Sequence, residues 1–188
     1  MKNPKQKGAE FERTVCKKLS MWASGMLRED LFWRSAMSGG RATFETRKSR
    51  EQKGKLSNQA GDVSSISEIG MPLVETFFLE AKHYADLKMD GIVYGATGEL
   101  RAIWEEPLDK AKMYQKIPLV IAKENFRQPL LLTNEEGSCL LSKATKEGFS
   151  FALKAYFPII GMHVFLFRDL LGSIDYNKLC SIIKANKG

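Results

Sequence analysis

The chain has 188 residues, of which 44% are hydrophobic and 27% charged, so it fits one folded domain and not a disordered, collagen-like or coiled-coil chain. Cys16, Cys139 and Cys180 lie far apart without a C-x-x-C pair, and His83 and His163 are the only imidazoles, which weighs against a zinc finger, a histidine-based nuclease and a serine or cysteine hydrolase. The net charge of +7 is uneven: residues 1–60 hold 14 basic and 6 acidic side chains (+8), and residues 61–188 hold 15 and 16 (−1). Such asymmetry points to a face that binds a polyanion. No apolar run approaches a membrane span and the opening MKNPKQKGAEFERT is too polar for a secretory signal, so the expected location is cytoplasmic.

In chain order, Phe11, Val15, Leu19 and Trp22 recur at helical spacing behind Asn3-Pro4, which predicts an amphipathic helix from residue 7 to about 24, with Glu12 beside its apolar stripe. LFWRSAM (31–37) reads as a strand. A loop at about 38–60 follows, in which Arg41, Arg47, Lys48, Arg50, Lys53 and Lys55 outnumber Glu45 and Glu51. Like charges this dense repel unless an anion neutralises them, so these six are candidate nucleic-acid contacts. A second strand is expected from Asp62, a turn at Gly70-Met71-Pro72, and a third strand over VETFFLEAKHY. Alternation along that strand places Phe77, Leu79, Ala81 and His83 on one face, and Phe78, Glu80, Lys82 and Tyr84 on the other.

Residues 85–98 show no clear period. A helix is expected from Glu105 with Pro107 in its first turn and Pro118 barring its continuation. Strands follow at 119–122 and 129–132, then a short strand after Gly137-Ser138, a helix over about 143–156, a strand at 163–167 and a helix over about 175–185. The three cysteines are read as small buried fillers, and the Phe-rich tail (Phe149, Phe151, Phe157, Phe165, Phe167) as core with a share available for a dimer surface. Interleaved strands and helices predict an α/β fold with a mixed central sheet flanked by helices.

Chemistry on phosphodiesters commonly uses Mg²⁺, held by one or two carboxylates while keeping several waters. Asp62 and Glu80 are the candidate carboxylates, to be brought together by antiparallel pairing of their strands. The triplet carboxylate-x-Lys occurs three times, at Glu51-Gln52-Lys53, Glu80-Ala81-Lys82 and Asp86-Leu87-Lys88, and only the second follows both an apolar run and an upstream Gly-Asp. Lys82 shares a face with Glu80, where its ammonium can orient or deprotonate a water, or stabilise charge on a phosphate. Tyr84 shares that face, and His83 is expected to be structural.

Glu12 in KGAEFERTV, Asp62 in AGDVSS, and Glu80 and Lys82 in FFLEAKHY resemble the PD-(D/E)xK nuclease superfamily over residues 7–133, with Gly61 in place of the usual Pro. The small size, the early G-x-x-F-E, the basic projection and the PLVIAK strand with its arginine turn are most similar to Holliday-junction resolvases and related phage or bacterial recombination nucleases. The resemblance implies a restriction-endonuclease-like core in a single nuclease domain over 1–188, with a C-terminal extension from about 138. It implies an Mg²⁺-dependent deoxyribonuclease (Mn²⁺ substituting), with Glu12, Asp62, Glu80 and Lys82 catalytic and the metal on Asp62, Glu80 and the Ala81 carbonyl. Support from Gln115 or Lys112, DNA as partner, a homodimer, and a bacterial or phage-infected host cell complete the expectation. Three alternatives are a nuclease of linear duplex or single-stranded ends, a catalytically inert nucleic-acid-binding protein, and, weaker than these, an RNA-binding protein that stacks bases on Trp22, Trp33 or Trp104, residues that more often fill core or half-buried positions.

Overall fold

A computed structural model describes residues 3–35, 60–87 and 98–187. The basic stretch with Arg41, Arg47, Lys48, Arg50, Lys53 and Lys55, and most of the expected irregular segment at 85–98, lie outside the described residues.

Helix α1 (Pro4–Ala23) forms where the apolar period predicts, burying Phe11, Val15, Leu19 and Trp22. Strand β1 (Phe32–Arg34) pairs antiparallel with β2 (Val63–Ser65) in a small two-stranded sheet. Helix α2 (Met71–Thr76) then leads into β3 (Phe77–Tyr84), α3 (Gly98–Met113), β4 (Ile117–Glu124) and β5 (Leu130–Thr133). The remainder is α4 (Glu135–Lys143), β6 (Lys154–Phe157), β7 (Met162–Leu166), α5 (Phe167–Ser173) and α6 (Tyr176–Lys187). The main sheet has the order β3-β4-β5-β7-β6, parallel between β3 and β4 and antiparallel elsewhere. Its segment from residue 138 onward contributes β6 and β7, so that part of the chain completes the sheet.

Both faces are covered. Phe77, Leu79, Ala81, Leu119, Ile121 and Phe165 pack with residues of α1, α2, α4, α5 and α6 on one side. Val120, Ala122, Leu132 and Val164 pack with Ile103 and Trp104 of α3 on the other. At about 25 cal/mol per Å² of buried apolar area, these two layers are the main source of stability. The mixed sheet flanked by helices is the expected α/β class.

Several local expectations are corrected. Val74, Glu75 and Thr76 end a helix instead of opening a strand, because Pro72 suits a first helical turn and Leu73 and Val74 bury on it. That helix alters the approach to β3: Gly61 bridges Leu79 in parallel, so the chain around Asp62 and Glu80 is not an antiparallel hairpin. Helix α3 starts at Gly98 and takes Pro107 into its interior, where buried Ile103 and Trp104 hold the preceding turn despite the lost amide. After β5 comes a helix, not a strand: Asn134 caps α4 by accepting from the Gly137 amide at 3.0 Å. The span assigned to a helix at 143–156 holds β6 instead, and α5 was not expected. Cys16 is buried and Cys180 half-buried, but Cys139 is exposed and fills no core. Within the tail Phe165 and Phe167 are buried, whereas Phe149 is exposed.

Candidate active site

The site begins in the middle of α1. Burial of Phe11 and Val15 turns Glu12 inward, leaving its side chain 13% exposed and paired with the Arg34 guanidinium. The register of β1 against α1 is fixed by Ser20, whose hydroxyl accepts from the Leu31 and Phe32 amides at 3.0 and 2.9 Å. Burial, with Glu12 and Asp62 nearby, pushes the Cys16 thiol up to about 12, so it is an inert neighbour.

Asp62 is seated on the free edge of β3. Its amide donates to Leu79 O at 2.8 Å, one carboxylate oxygen accepts from the Ala81 amide at 2.9 Å, and its carbonyl accepts from the Ser35 amide at 2.8 Å. The close approach needs Gly61: its φ is +90°, and a Cβ there would lie 2.4 Å from Leu79 O. Burial first, then the nearby Glu80 charge, raises the Asp62 carboxyl to about 7.

Glu80, equally buried, shares its face of β3 with Lys82 as alternation predicts. The Lys82 ammonium lies 2.7 Å from Glu80 Oε1 and 3.8 Å from Glu106 Oε2 of α3. Burial acts to lower the Lys82 pKa, but Glu80, Glu106 and Asp62 together hold it above the ordinary lysine range. Lys110 in turn pairs with Glu106 at 2.7 Å. Tyr84 is half-buried on the same face, and burial raises its hydroxyl pKa, keeping it neutral.

The structure therefore gathers Glu12, Asp62, Glu80 and Lys82 around the start of β2 and the middle of β3. From α3, the side chain that reaches Lys82 is Glu106. Lys112 pairs with Asp109 at 3.3 Å on the exposed side, and Gln115 lies beyond the helix end at φ +54°. His83 points to the opposite face, with Nε2 3.1 Å from Asn125 Oδ1 and its ring against Phe11. Sequence reasoning missed Arg34 and Glu106. A lone arginine inside the aromatic run LFWR was the available signal for the first; Glu106 lay on the helix expected from Glu105, but nothing in the sequence set that helix against the Lys82 side of β3.

A family model described as "Phage putative PDDEXK endonuclease" matches residues 3–159. The chain belongs to this family. The match spans α1 through β6, including the elements that bear Glu12, Asp62, Glu80 and Lys82, and it makes the chain a nuclease of that superfamily. Comparison with curated proteins and with solved structures returned no match.

The chemistry of Asp62, Glu80 and the Ala81 carbonyl fits a hard divalent cation. Among the described residues no group of three or more His, Cys, Asp or Glu side chains is arranged for a metal. Two carboxylates and a strand carbonyl are nevertheless a donor set that suits Mg²⁺, which keeps several waters of its own. Burial first, and then the Glu80 charge, raise the Asp62 carboxyl, and a cation held beside it would offset both.

Proposed function

We propose that this PDDEXK protein is an Mg²⁺-dependent deoxyribonuclease that hydrolyses phosphodiesters in branched DNA of the Holliday-junction type, acting as a homodimer. The observation that carries the reading is the seating of Asp62 directly on the Ala81 amide, beside buried Glu80 and its partner Lys82. A module that only binds DNA gains nothing from collecting carboxylates where phosphates must pass. The excess of positive charge in residues 1–60 supplies a path for the polyanion, with Arg41, Arg47, Lys48, Arg50, Lys53 and Lys55 as its contacts. Two equivalent scissile strands in a four-way junction suit two symmetric sites.

Mg²⁺ bound there supplies Lewis acidity and a water of lowered pKa. Asp62, Glu80 and the Ala81 carbonyl would hold it, and Glu12 would support it from α1. Arg34 fixes Glu12 in place through its guanidinium. Lys82 stays protonated at neutral pH, which favours orienting the water and countering charge on the scissile phosphate over taking a proton.

The test compares wild type with Lys82→Ala on labelled four-way junction, linear duplex and single-stranded DNA, each with Mg²⁺ and with EDTA. Cutting of the junction by wild type alone, and only with Mg²⁺, is the expected result. Preferred cutting of duplex ends or single strands replaces the branched substrate with the end-directed one. No cutting by either protein, with equal binding, leaves an inert binding protein.

A further inference from the structure

Helix α3 carries ion pairs between its own side chains: Arg101 with Glu105 at 2.6 Å, Glu106 with Lys110 at 2.7 Å, and Asp109 with Lys112 at 3.3 Å. Pairs of this spacing on a solvated helix face contribute little to stability. The pair at Glu106 is built differently. Its carboxylate is divided between lysines of two elements: Oε1 takes Lys110 of the same helix, and Oε2 faces Lys82 Nζ of β3 at 3.8 Å. The fold imposes this approach. Glu80 and Lys82 lie in register with Val120 and Ala122, and those two residues pack with Ile103 and Trp104 of α3, so the helix is seated over the face of the sheet that carries Glu80 and Lys82.

Lys82 is also in contact with Glu80 Oε1, at 2.7 Å, and Glu80 is one of the acids assigned above to the cation. An ion on the same carboxylate would meet a second positive charge at close range, so the ion and the ammonium compete for Glu80. Three acids act on the Lys82 charge: Glu80, Glu106 and Asp62. With Glu80 and Asp62 turned to a cation, the one left for the lysine is Glu106. Closing the 3.8 Å gap to the roughly 2.8 Å of a charge-assisted hydrogen bond asks for a shift of about 1 Å at the tip of a flexible side chain.

We propose that Glu106 is a positioning residue that takes Lys82 over from Glu80 when a divalent cation binds. This rests on the nuclease reading above for the cation on Asp62 and Glu80. Buried carboxylates need a positive charge beside them. Lys82 supplies it at Glu80 before the ion arrives and, moved onto Glu106, no longer opposes the ion afterwards. Lys110 completes the device, because it holds a carboxylate that is otherwise 57% exposed and keeps its second oxygen turned to β3 instead of water.

The Mn²⁺ affinity of the full-length protein without DNA, measured by calorimetry, tests the exchange with no contribution from cutting. Glu106→Gln keeps the size of the side chain and removes its charge, and should weaken Mn²⁺ binding about tenfold, the worth of one charge-assisted hydrogen bond. Loss of any nearby negative charge weakens cation binding as well, so a double-mutant cycle decides between the two causes. In a Lys82→Met background, with no lysine to place, Glu106→Gln should change the affinity by less than about twofold. Lys82→Met alone should bind Mn²⁺ more tightly than wild type. An equal loss from Glu106→Gln in both backgrounds overturns the proposal and leaves Glu106 a background charge. If the Lys82 variant fails to fold, a crystal structure of wild type with Mn²⁺ carries the test: Nζ hydrogen-bonded to Glu106 Oε2 supports the exchange, and Nζ still on Glu80 Oε1 beside the bound ion overturns it. Wild type that takes up no Mn²⁺ overturns it too. A protein whose lysine exchanges but which cuts no DNA keeps the exchange and loses the nuclease reading; one that cuts with the lysine unmoved keeps the nuclease reading and loses the exchange.

Discussion

The carboxylate of Asp62 accepts a hydrogen bond from the Ala81 amide at 2.9 Å, so the acid is held by the backbone of the strand whose side chains are Glu80 and Lys82. Asp62, Glu80 and Lys82 are thus tied by main-chain geometry, and few rotatable bonds separate them.

That tie predicts the outcome at Gly61. Alanine there would meet Leu79 O at 2.4 Å and would have to hold a φ of +90°. Gly61→Ala should cost about 2 kcal/mol or more in stability and reduce cleavage at least as much as removing Asp62 itself. Urea unfolding and cleavage rate on the preferred DNA measure both; a variant with wild-type stability and rate would show that the segment is not pinned to β3.

The Asp62 carboxyl, raised to about 7 against an ordinary 3.8, gives a pH-dependent stability. Between those values the folded chain keeps a proton that the unfolded chain releases, so this contribution is full below about pH 4 and is lost as pH rises to about 7. Without divalent ions, Asp62→Asn should raise Tm at pH 8 by about 5 °C, with the difference vanishing near pH 4. Mg²⁺ should raise the wild-type Tm more at pH 8 than at pH 5 and leave the Asn variant nearly unchanged. Scanning calorimetry over this pH range reads it, and a Tm difference independent of pH would refute the shift.

Arg34 and Glu12 form one unit at the edge of the site. Arg34→Ala leaves the mostly buried Glu12 carboxylate unpaired, at an expected cost of about 1–2 kcal/mol, and Glu12→Gln in the same chain should recover part of it. A double-mutant cycle gives the coupling; a value near zero would reduce the pair to a surface contact.

Phe126 has a φ of +62° and a fully exposed ring at the β4–β5 turn. Phe126→Gly should therefore raise stability by up to about 1 kcal/mol, or about 2–4 °C in Tm, since it relieves a left-handed conformation and gives up no packing. A fall in Tm would reveal a contact that holds the ring.

The sequence was most informative where periodicity and chemistry coincide. The stripe Phe11, Val15, Leu19, Trp22 located α1, and alternation through FFLEAKHY correctly separated Ala81 and His83 from Glu80 and Lys82. What escaped it depended on non-local or competing signals. Pro72 read as a turn because a six-residue helix has too few residues to display a period. The parallel approach of Gly61 to Leu79 follows from that helix and could not be seen without it. Glu106 lay on the expected helix, but its reach to Lys82 depends on how α3 packs against β3, a non-local contact that no period displays.

One feature of the edge of β3 reaches beyond the reaction. Strand β3 is an outer strand of the main sheet, and the groups on its open side at Leu79 and Ala81 are taken by Asp62. The segment that brings the acid also covers the strand edge, and FFLEAKHY is apolar enough to recruit another chain if that cover is lifted. Substitutions that loosen residues 61–62 should therefore appear as insoluble protein during expression before they appear as slow enzyme.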